Sequence, residues 1–363
     1  MKIAYIGQMA DVSAENGIAK KIAMQTAAWR GAGHSTRYFS LTKSPTRWSG
    51  LGDLETELLP PDAGGSRLTR SWLLANRVHV WQPDVIYFRY AYHSPGLPML
   101  FRRTPTVAEI NSDDQREYRL TLDPWRVFYH RLTRARVLRP IAGFVTVTNE
   151  LAARFANWTR PTLVMGNSIS LGDFPVLPAA PAHTAPRLIF LGTPGSPWHG
   201  LERVSELARL LPQSHFDVVG LDAVGWQRQV REPWPANLQL HGNLCRPAYA
   251  PLLARATAAI GSLALYKNGM AEACPLKVRE YLAFGLPVVA AYQDTDVPAD
   301  AGYFFRLPND ASPLAPHGNA LAAWLAGWQG RRVPRTAIAH LDTAEKEQHR
   351  LAFLTRFARA RTA

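Results

Sequence analysis

Short apolar runs of strand type alternate with amphipathic segments from one end of this chain to the other. Such alternation constrains the fold more than any single motif, because strands separated by helix-length segments pair in parallel through βαβ crossovers. The first half carries predicted strands at residues 2–7, 36–41, 84–88, 106–110, 143–147 and 162–165. Residues 171–186 are rich in Pro and Ala, lack periodicity and read as a linker. The pattern restarts at residues 187–192, with further strands at 216–220, 238–241, 258–261 and 287–291. At 363 residues the chain exceeds the size at which one core usually keeps growing. The expected organisation is an N-terminal domain over 1–170, a linker over 171–186, a second domain over 187–334, and a charged helical segment over 335–363 packing across the junction. Two doubly wound domains facing each other would enclose a central cleft, with ligands beyond the carboxyl ends of the strands.

Charge is unevenly spread. The formal net charge is +13, and residues 1–170 hold 22 Lys and Arg against 13 Asp and Glu. A field of that sign attracts an anionic partner: a membrane face, a nucleic acid or a phosphorylated substrate. The two cysteines, Cys245 and Cys274, imply neither a disulfide framework nor a zinc site and suit a reducing cytoplasm. The opening Met-Lys-Ile-Ala-Tyr-Ile-Gly reads as a strand instead of a signal peptide, and no stretch is long and apolar enough to span a bilayer. A cytoplasmic protein, soluble or peripheral at the inner face of the plasma membrane, is the expectation.

Glu272 and Glu280 stand with seven residues between them, in a segment that also holds Pro275, Lys277, Gly285 and Pro287. Pro275 suits the first position of a helix, since its fixed φ fits the turn and its missing N–H would be unpaired there. Leu276 and Lys277 then offer free backbone N–H groups, which with the helix dipole and the Lys277 ammonium make a place for a diphosphate. Glu280, about a turn further in, is positioned to accept hydrogen bonds from a ribose, and Glu272 approaches from the loop. Gly285 and Pro287 end the helix. A surface helix with two solvated carboxylates would show the same spacing; the flanking Pro, Lys and strand point to a nucleotide-sugar site.

Further landmarks follow in order. They are Asn16-Gly17-Ile18-Ala19-Lys20-Lys21 after the first strand, Asn167-Ser168-Ile169 with Asp173-Phe174, Phe190-Leu191-Gly192 followed by Trp198-His199-Gly200, and Asn237 to Gly242. With the glutamate pair they resemble glycosyltransferase family 4, retaining enzymes of the GT-B fold, over nearly the whole chain. The resemblance implies an α/β fold of two Rossmann-like domains and an enzyme that moves a sugar from a nucleoside-diphosphate donor to a hydroxyl of a glycan acceptor. It implies a GDP- or UDP-sugar, with a lean to GDP-mannose, and neither metal nor other cofactor; the basic first half adds the expectation of a glycan acceptor that is free or linked to a lipid diphosphate. Catalytic roles fall to Glu272, to Lys277 and to Glu109 at a strand end near the reacting carbon. Donor binding falls to Glu280 at the ribose, to Ala273, Cys274, Leu276, Gly17 and His199 at the diphosphate, and to Gly242, Asn243 and Leu244 at the base. Three positions depart from the pattern, the first being Asn16, which stands beside Gly17 where relatives often have a glycine pair. Where relatives carry Arg and Lys on the diphosphate, this chain has Thr193 and His199, and a neutral histidine supplies less positive charge than lysine at pH 7.

Asp294-Thr295-Asp296 and Ser112-Asp113-Asp114 have the spacing of metal-binding carboxylates but no third ligand in view, and read as loop or cap residues. The glycine-rich residues 192–200 lack both the Walker lysine and a G-x-G-x-x-G run. Residues 116–139 contain seven arginines interleaved with Tyr118, Leu120, Trp125, Phe128, Tyr129 and Leu132. Two readings stand for them: a helix lying on an anionic membrane surface, or a surface helix whose apolar side is core. No helix-turn-helix, zinc module or aromatic RNA platform is recognisable, so no nucleic acid is expected. An epimerase or phosphorylase on the same fold, and a non-catalytic binder of anionic surfaces, are the alternatives.

Overall fold

The computed structural model describes residues 1–8, 17–42, 51–59, 66–179, 181 and 185–358. The chain divides into two units, the first made of Met1–Gly166 with the chain from Thr343 on, the second of Asn167–Asp342.

The first unit runs β1 (Lys2–Gln8), α1 (Gly17–Gly31), β2 (Ser35–Leu41), β3 (Thr56–Leu59), α2 (Arg67–Trp81), β4 (Val85–Arg89), α3 (Gly96–Arg103), β5 (Thr106–Ile110), α4 (Asp114–Thr121), α5 (Pro124–Leu138), β6 (Gly143–Thr146), α6 (Asn149–Phe155) and β7 (Thr162–Val164). Its strands form one sheet in the order β3-β2-β1-β4-β5-β6-β7, every pair parallel. Strand order reverses between β1 and β4, the place where open α/β sheets bind ligands. Inner strands of a parallel sheet are covered on both faces, which explains runs such as Val85-Ile86-Tyr87-Phe88, all fully buried. Tyr5, Trp29 and Tyr87 pack ring on ring, with centroids 5.2–5.9 Å apart. Their polar tips need partners inside the core: the Tyr5 hydroxyl donates to Gln25 Oε1 (3.3 Å) and Trp29 Nε1 to Glu347 Oε2 (2.8 Å). Ser66, Asp113, Asp123 and Thr148 start α2, α4, α5 and α6 by accepting N–H groups of the first turn.

The second unit runs β8 (Arg187–Leu191), α7 (Leu201–Leu210), β9 (His215–Val219), α8 (Ala223–Gln227), β10 (Leu238–Leu240), α9 (Arg246–Arg255), β11 (Ala258–Ile260), β12 (Glu272–Ala273), α10 (Leu276–Ala283), β13 (Val288–Ala290), β14 (Gln293–Asp294), β15 (Phe304–Arg306) and α11 (Gly318–Trp328). Its main sheet has the order β10-β9-β8-β11-β13-β15, again parallel and reversing beside the first strand, while β12 and β14 pair apart. The last helix, α12 (Thr343–Thr355), returns to the first unit, where Phe353 and Leu354 join the core around Tyr5 and Trp29.

Four strands have no counterpart in the sequence reading: β3, β12, β14 and β15. Each spans two to four residues, too short to show a period. Residues 171–179 of the expected linker belong to the second unit, with a 3-10 turn at Leu171–Asp173 and Phe174 packed edge-on against Phe284 (5.1 Å). The segment 335–363 is shared, since the 3-10 turn Arg335–Leu341 lies in the second unit and α12 in the first. Among the described residues, no helix is long and apolar enough to cross a membrane.

Candidate active site

In the second unit the loops leaving β8, β9 and β10 meet backbone to backbone. Gly192 N donates to Val219 O (2.8 Å), Gly220 N to Gly242 O (2.6 Å) and Gly242 N to Leu221 O (3.0 Å). Gly220 has φ +93°, and a Cβ there would stand 2.1 Å from Gly192 O, so only glycine fits. Gly242, at φ +67°, turns the chain into Asn243, which is exposed, and Leu244, which is half-buried.

The glutamate segment lies before β13 in this unit. Pro275 is extended (φ −71°, ψ 140°) and occupies the cap, one residue ahead of the first helical position expected for it. Its carbonyl accepts the Val278 N–H (3.1 Å), so the N–H groups of Leu276 and Lys277 precede the first intrahelical bond, as expected. Glu272 and Ala273 form β12, in register with Gln293 and Asp294 of β14. Glu280, half-buried, accepts the Tyr249 hydroxyl (2.8 Å) and pairs with Arg246 Nε (3.3 Å), both from α9. Arg246 in turn lies 4.7 Å above the Phe174 ring. Neither α9 residue was singled out from the sequence; the signal was their place, just after the base loop.

Lys277 donates to Leu191 O (3.0 Å) and sits 4.0 Å from the Phe190 ring centroid. Enclosure of its ammonium pushes the pKa down to about 7. His199 is lowered well below the ordinary histidine value, first by burial and then by Lys277, so it is neutral and its Nδ1 accepts the Thr193 N–H (3.4 Å). Of Thr193, His199 and Lys277, the lysine is the group able to carry charge at neutral pH.

Cys274 and the two aspartates of the 294–296 loop form a cluster whose ligand atoms lie within 4.8 Å of one another. Arg279, fully buried, fills it: the guanidinium donates to Asp294 Oδ1 (2.7 Å) and Oδ2 (3.1 Å), to Asp296 Oδ2 (2.8 Å), to Cys274 Sγ (2.6 Å) and to Asn167 O (2.8 Å). Asn167 closes the ring, its N–H on Cys274 Sγ (2.8 Å) and its Nδ2 on Cys274 O (2.5 Å). The cation of this cluster is a side chain, and it anchors the loop that carries Glu272 and Ala273.

In the first unit α1 begins at Gly17, while Asn16 lies outside the described residues. Glu109, on β5, has no solvent exposure. Lys21 (2.8 Å), Arg89 (3.2 Å) and Arg350 (3.5 Å) surround it, and Asn111 Nδ2 donates to its Oε2 (3.1 Å). Burial alone would raise its carboxyl; Lys21, Arg350 and Arg89 reverse that and hold it below the usual carboxylate range. Burial pushes Lys21 down to about 8 against the pull of Glu109. Glu109, expected at the reacting carbon, is linked through Lys21 to α1 one turn past Gly17, and Asn111 and Arg89 are the partly exposed members of the cluster.

Asp113 caps α4, accepting from the N–H groups of Gln115 (3.1 Å) and Arg116 (3.3 Å), and Asp114 pairs with Arg134 (2.7 Å) and His130 (2.6 Å). His93 shares a hydrogen bond with the Tyr129 hydroxyl (2.8 Å).

Residues 16–168 match the family model described as a glycosyl transferase 4-like domain. No protein of curated function matches the chain in sequence. In fold it is similar to sucrose-phosphate synthase from Thermosynechococcus elongatus (17% identity, 98% of each chain covered, TM-score 0.69). It is also similar to HepE of Anabaena, solved in complex with UDP and glucose (16%, 98% of this chain and 100% of that one, TM-score 0.68). The lipopolysaccharide outer core galactosyltransferase WaaB shares the fold as well (12%, 98% and 100%, TM-score 0.65). With a glycosyl transferase 4-like domain in its first unit and the two-sheet GT-B fold over its length, the chain is a glycosyltransferase.

Proposed function

We propose that the chain is a retaining hexosyltransferase that takes a sugar from a nucleoside-diphosphate donor to a hydroxyl of a glycan acceptor in polysaccharide or glycoconjugate assembly. The acceptor is carried on a lipid diphosphate, and the enzyme works in the cytoplasm, peripheral at the inner membrane face. UDP is the preferred base carrier, a reading supported by HepE, whose structures hold UDP with glucose and UDP-glucose. Retention follows from the resemblance of the 272–280 segment to family 4.

The observation that carries the reading is the convergence on one short helix of Lys277, the leading N–H groups of α10 and the paired Glu280. Glycosyl transfer breaks the anomeric C–O bond while negative charge gathers on the departing diphosphate, so stabilising that charge is the chief task. The amides of Leu276 and Lys277, aided by the helix dipole, and the Lys277 ammonium take that task; His199 is neutral and serves as a hydrogen-bonding group. Glu280 accepts the ribose hydroxyls, Glu272 the hydroxyls of the transferred sugar, and the backbone of Ala273 and Cys274 lines the diphosphate. Gly242, Asn243 and Leu244 lie against the base, and Gly17, at the start of α1, contacts the donor diphosphate.

Changing Glu280 to Ala removes charge-assisted hydrogen bonds and is expected to weaken UDP binding by roughly tenfold to a hundredfold. Calorimetric titration of UDP and GDP into wild type and variant checks both the ribose assignment and the base; equal affinity of the variant would sink the assignment. Product analysis by NMR, reading the anomeric configuration of the transferred sugar, tests retention.

A further inference from the structure

Strand geometry brings three residues together at the carboxyl edge of the first sheet. Side chains alternate along a strand, so Glu109 and Asn111, two apart, lie on one face. Arg89 stands beside Glu109 in the parallel register of β4 and β5 and shares that face. Both neighbours donate to the same oxygen, Glu109 Oε2, from Arg89 Nη1 (3.2 Å) and Asn111 Nδ2 (3.1 Å). The guanidinium and the amide are thus side by side. Arg89 ends β4, the strand that flanks the reversal of strand order, where open α/β sheets bind ligands.

Glu109 does not need Arg89 for its neutralisation. Lys21 (2.8 Å) and Arg350 (3.5 Å) both face its Oε1, and Arg350 also pairs with Glu347 (2.8 Å). Three cations, Lys21, Arg89 and Arg350, therefore meet two carboxylates, and one positive charge is left over. It falls on Arg89, whose side chain is 18% exposed while the other four keep 3% or less. An arginine serving only as a clamp closes its fork on the carboxylate, as sealed Arg279 does on Asp294 (2.7 and 3.1 Å). Arg89 instead donates through Nη1 alone, and its Nε and Nη2 have no hydrogen-bond partner among the described residues. Asn111 is fixed at both ends of its amide, since Oδ1 accepts from Lys21 Nζ (3.0 Å), and its second Nδ2–H stays open among the described residues. A pre-oriented, half-open fork with surplus charge and an amide N–H beside it suits two-pronged recognition of an oxyanion.

We infer that Arg89 and Asn111 bind an oxyanion of the acceptor, a carboxylate or a phosphate, and so select an acidic acceptor over a neutral one. Anion recognition here rests on the transferase reading above and adds the charge of its acceptor. A neutral glycan would leave the extra charge of Arg89 unmatched. In that reading the leaving diphosphate has its own cation, Lys277, in the second unit.

Calorimetric titration of the full chain, saturated with UDP, tests this with four probes: glucuronate, glucose 6-phosphate, inorganic diphosphate and glucose. At least one anionic probe is expected to bind about tenfold or more tighter than glucose, and less tightly as salt rises. The tightest of the three names the group: a sugar carboxylate, a sugar phosphate or the diphosphate of a carrier. Arg89→Gln should lower anion affinity by about tenfold or more and abolish the preference over glucose. Arg89→Lys, which keeps the charge and loses the fork, should recover part of it. Lys21 and Arg350 remain on Glu109 in both variants, and thermal unfolding of each distinguishes a lost fold from a lost ligand. Wild type that binds no anionic probe better than glucose overturns the assignment without recourse to any variant. Unchanged anion affinity in folded Arg89→Gln overturns it too. If Arg89→Gln weakens UDP by the same factor as the anions, the fork belongs to the donor diphosphate and the acceptor assignment falls. Wild type that binds UDP but no anion leaves the transferase reading intact. Wild type that does not bind UDP strikes that reading instead, and the same titrations without UDP still decide the role of Arg89.

Discussion

Each unit holds a sealed ionic cluster, and the two have opposite polarity. In the first, the carboxylate of Glu109 is surrounded by Lys21, Arg89 and Arg350. In the second, the guanidinium of Arg279 is surrounded by Asp294, Asp296 and Cys274. The first ties whole elements together, reaching α1 through Lys21, β4 through Arg89 and α12 through Arg350. The second ties α10 to the Cys274 loop, the 294–296 loop and Asn167. Lys277 and Glu280, beside the second cluster, are only half-buried and each has few partners. Sealed charges hold the frame, and the half-open ones next to them are those to which the proposed function gives the ligand.

Breaking either cluster should give the largest effect. Glu109→Gln leaves Lys21 and Arg89 without their carboxylate and Arg350 with Glu347 alone, and Arg279→Met leaves two aspartates without their cation; each should cost roughly 3–5 kcal/mol. Hydrogen exchange read unit by unit checks the comparison. Protection is expected to fall over residues 1–166 and 343–358 for Glu109→Gln, and over 167–342 for Arg279→Met, whereas equal losses in both units would refute the separation. Adding Lys21→Met to Glu109→Gln should restore part of the loss.

A smaller effect distinguishes the half-open lysine from the sealed cations. The folded-state pKa of Lys277, about 7, lies below its ordinary value of 10.5. Folding therefore favours its neutral form: its contribution to stability rises with pH between those values, and its penalty is fully present below about pH 7. A bound diphosphate favours the charged form. UDP affinity is thus expected to be insensitive to this group below about pH 7 and to fall by up to about tenfold per pH unit above it, with proton uptake on binding. Titration calorimetry in two buffers of different ionisation enthalpy reads the uptake; a Lys277→Met variant that keeps the same profile would assign it elsewhere.

The smallest effect belongs to Tyr249→Phe, which removes one hydrogen bond from Glu280 and should weaken UDP binding by a few-fold, about 1 kcal/mol, with kcat unchanged. Tighter binding would mean that Tyr249 competes with the ribose for the carboxylate.

The strands of the sheets were largely legible, because runs such as Ile3-Ala4-Tyr5-Ile6 are long enough to show themselves as buried strand. The two-residue β12 was not, although it carries Glu272, since two residues have no period. Glu280 was legible as a carboxylate about a turn into α10, but Tyr249, its partner 31 residues away, was invisible to local pattern. The burial of Glu109 depends on Lys21, Arg89 and Arg350, side chains brought together only by the fold. Pro275 shows the grain of such reasoning: the helix was correctly anticipated, and the proline stands one residue earlier, with an extended ψ.

The return of α12 to the first unit sets an order of events during synthesis. Trp29 finds its hydrogen-bond partner Glu347 318 residues later, and Tyr87 finds Arg350 263 residues later. On the ribosome every residue of the second unit emerges before those partners do. The part of the chain made first is thus the part finished last, and until α12 is released the aromatic core around Trp29 waits with its polar edge unanswered.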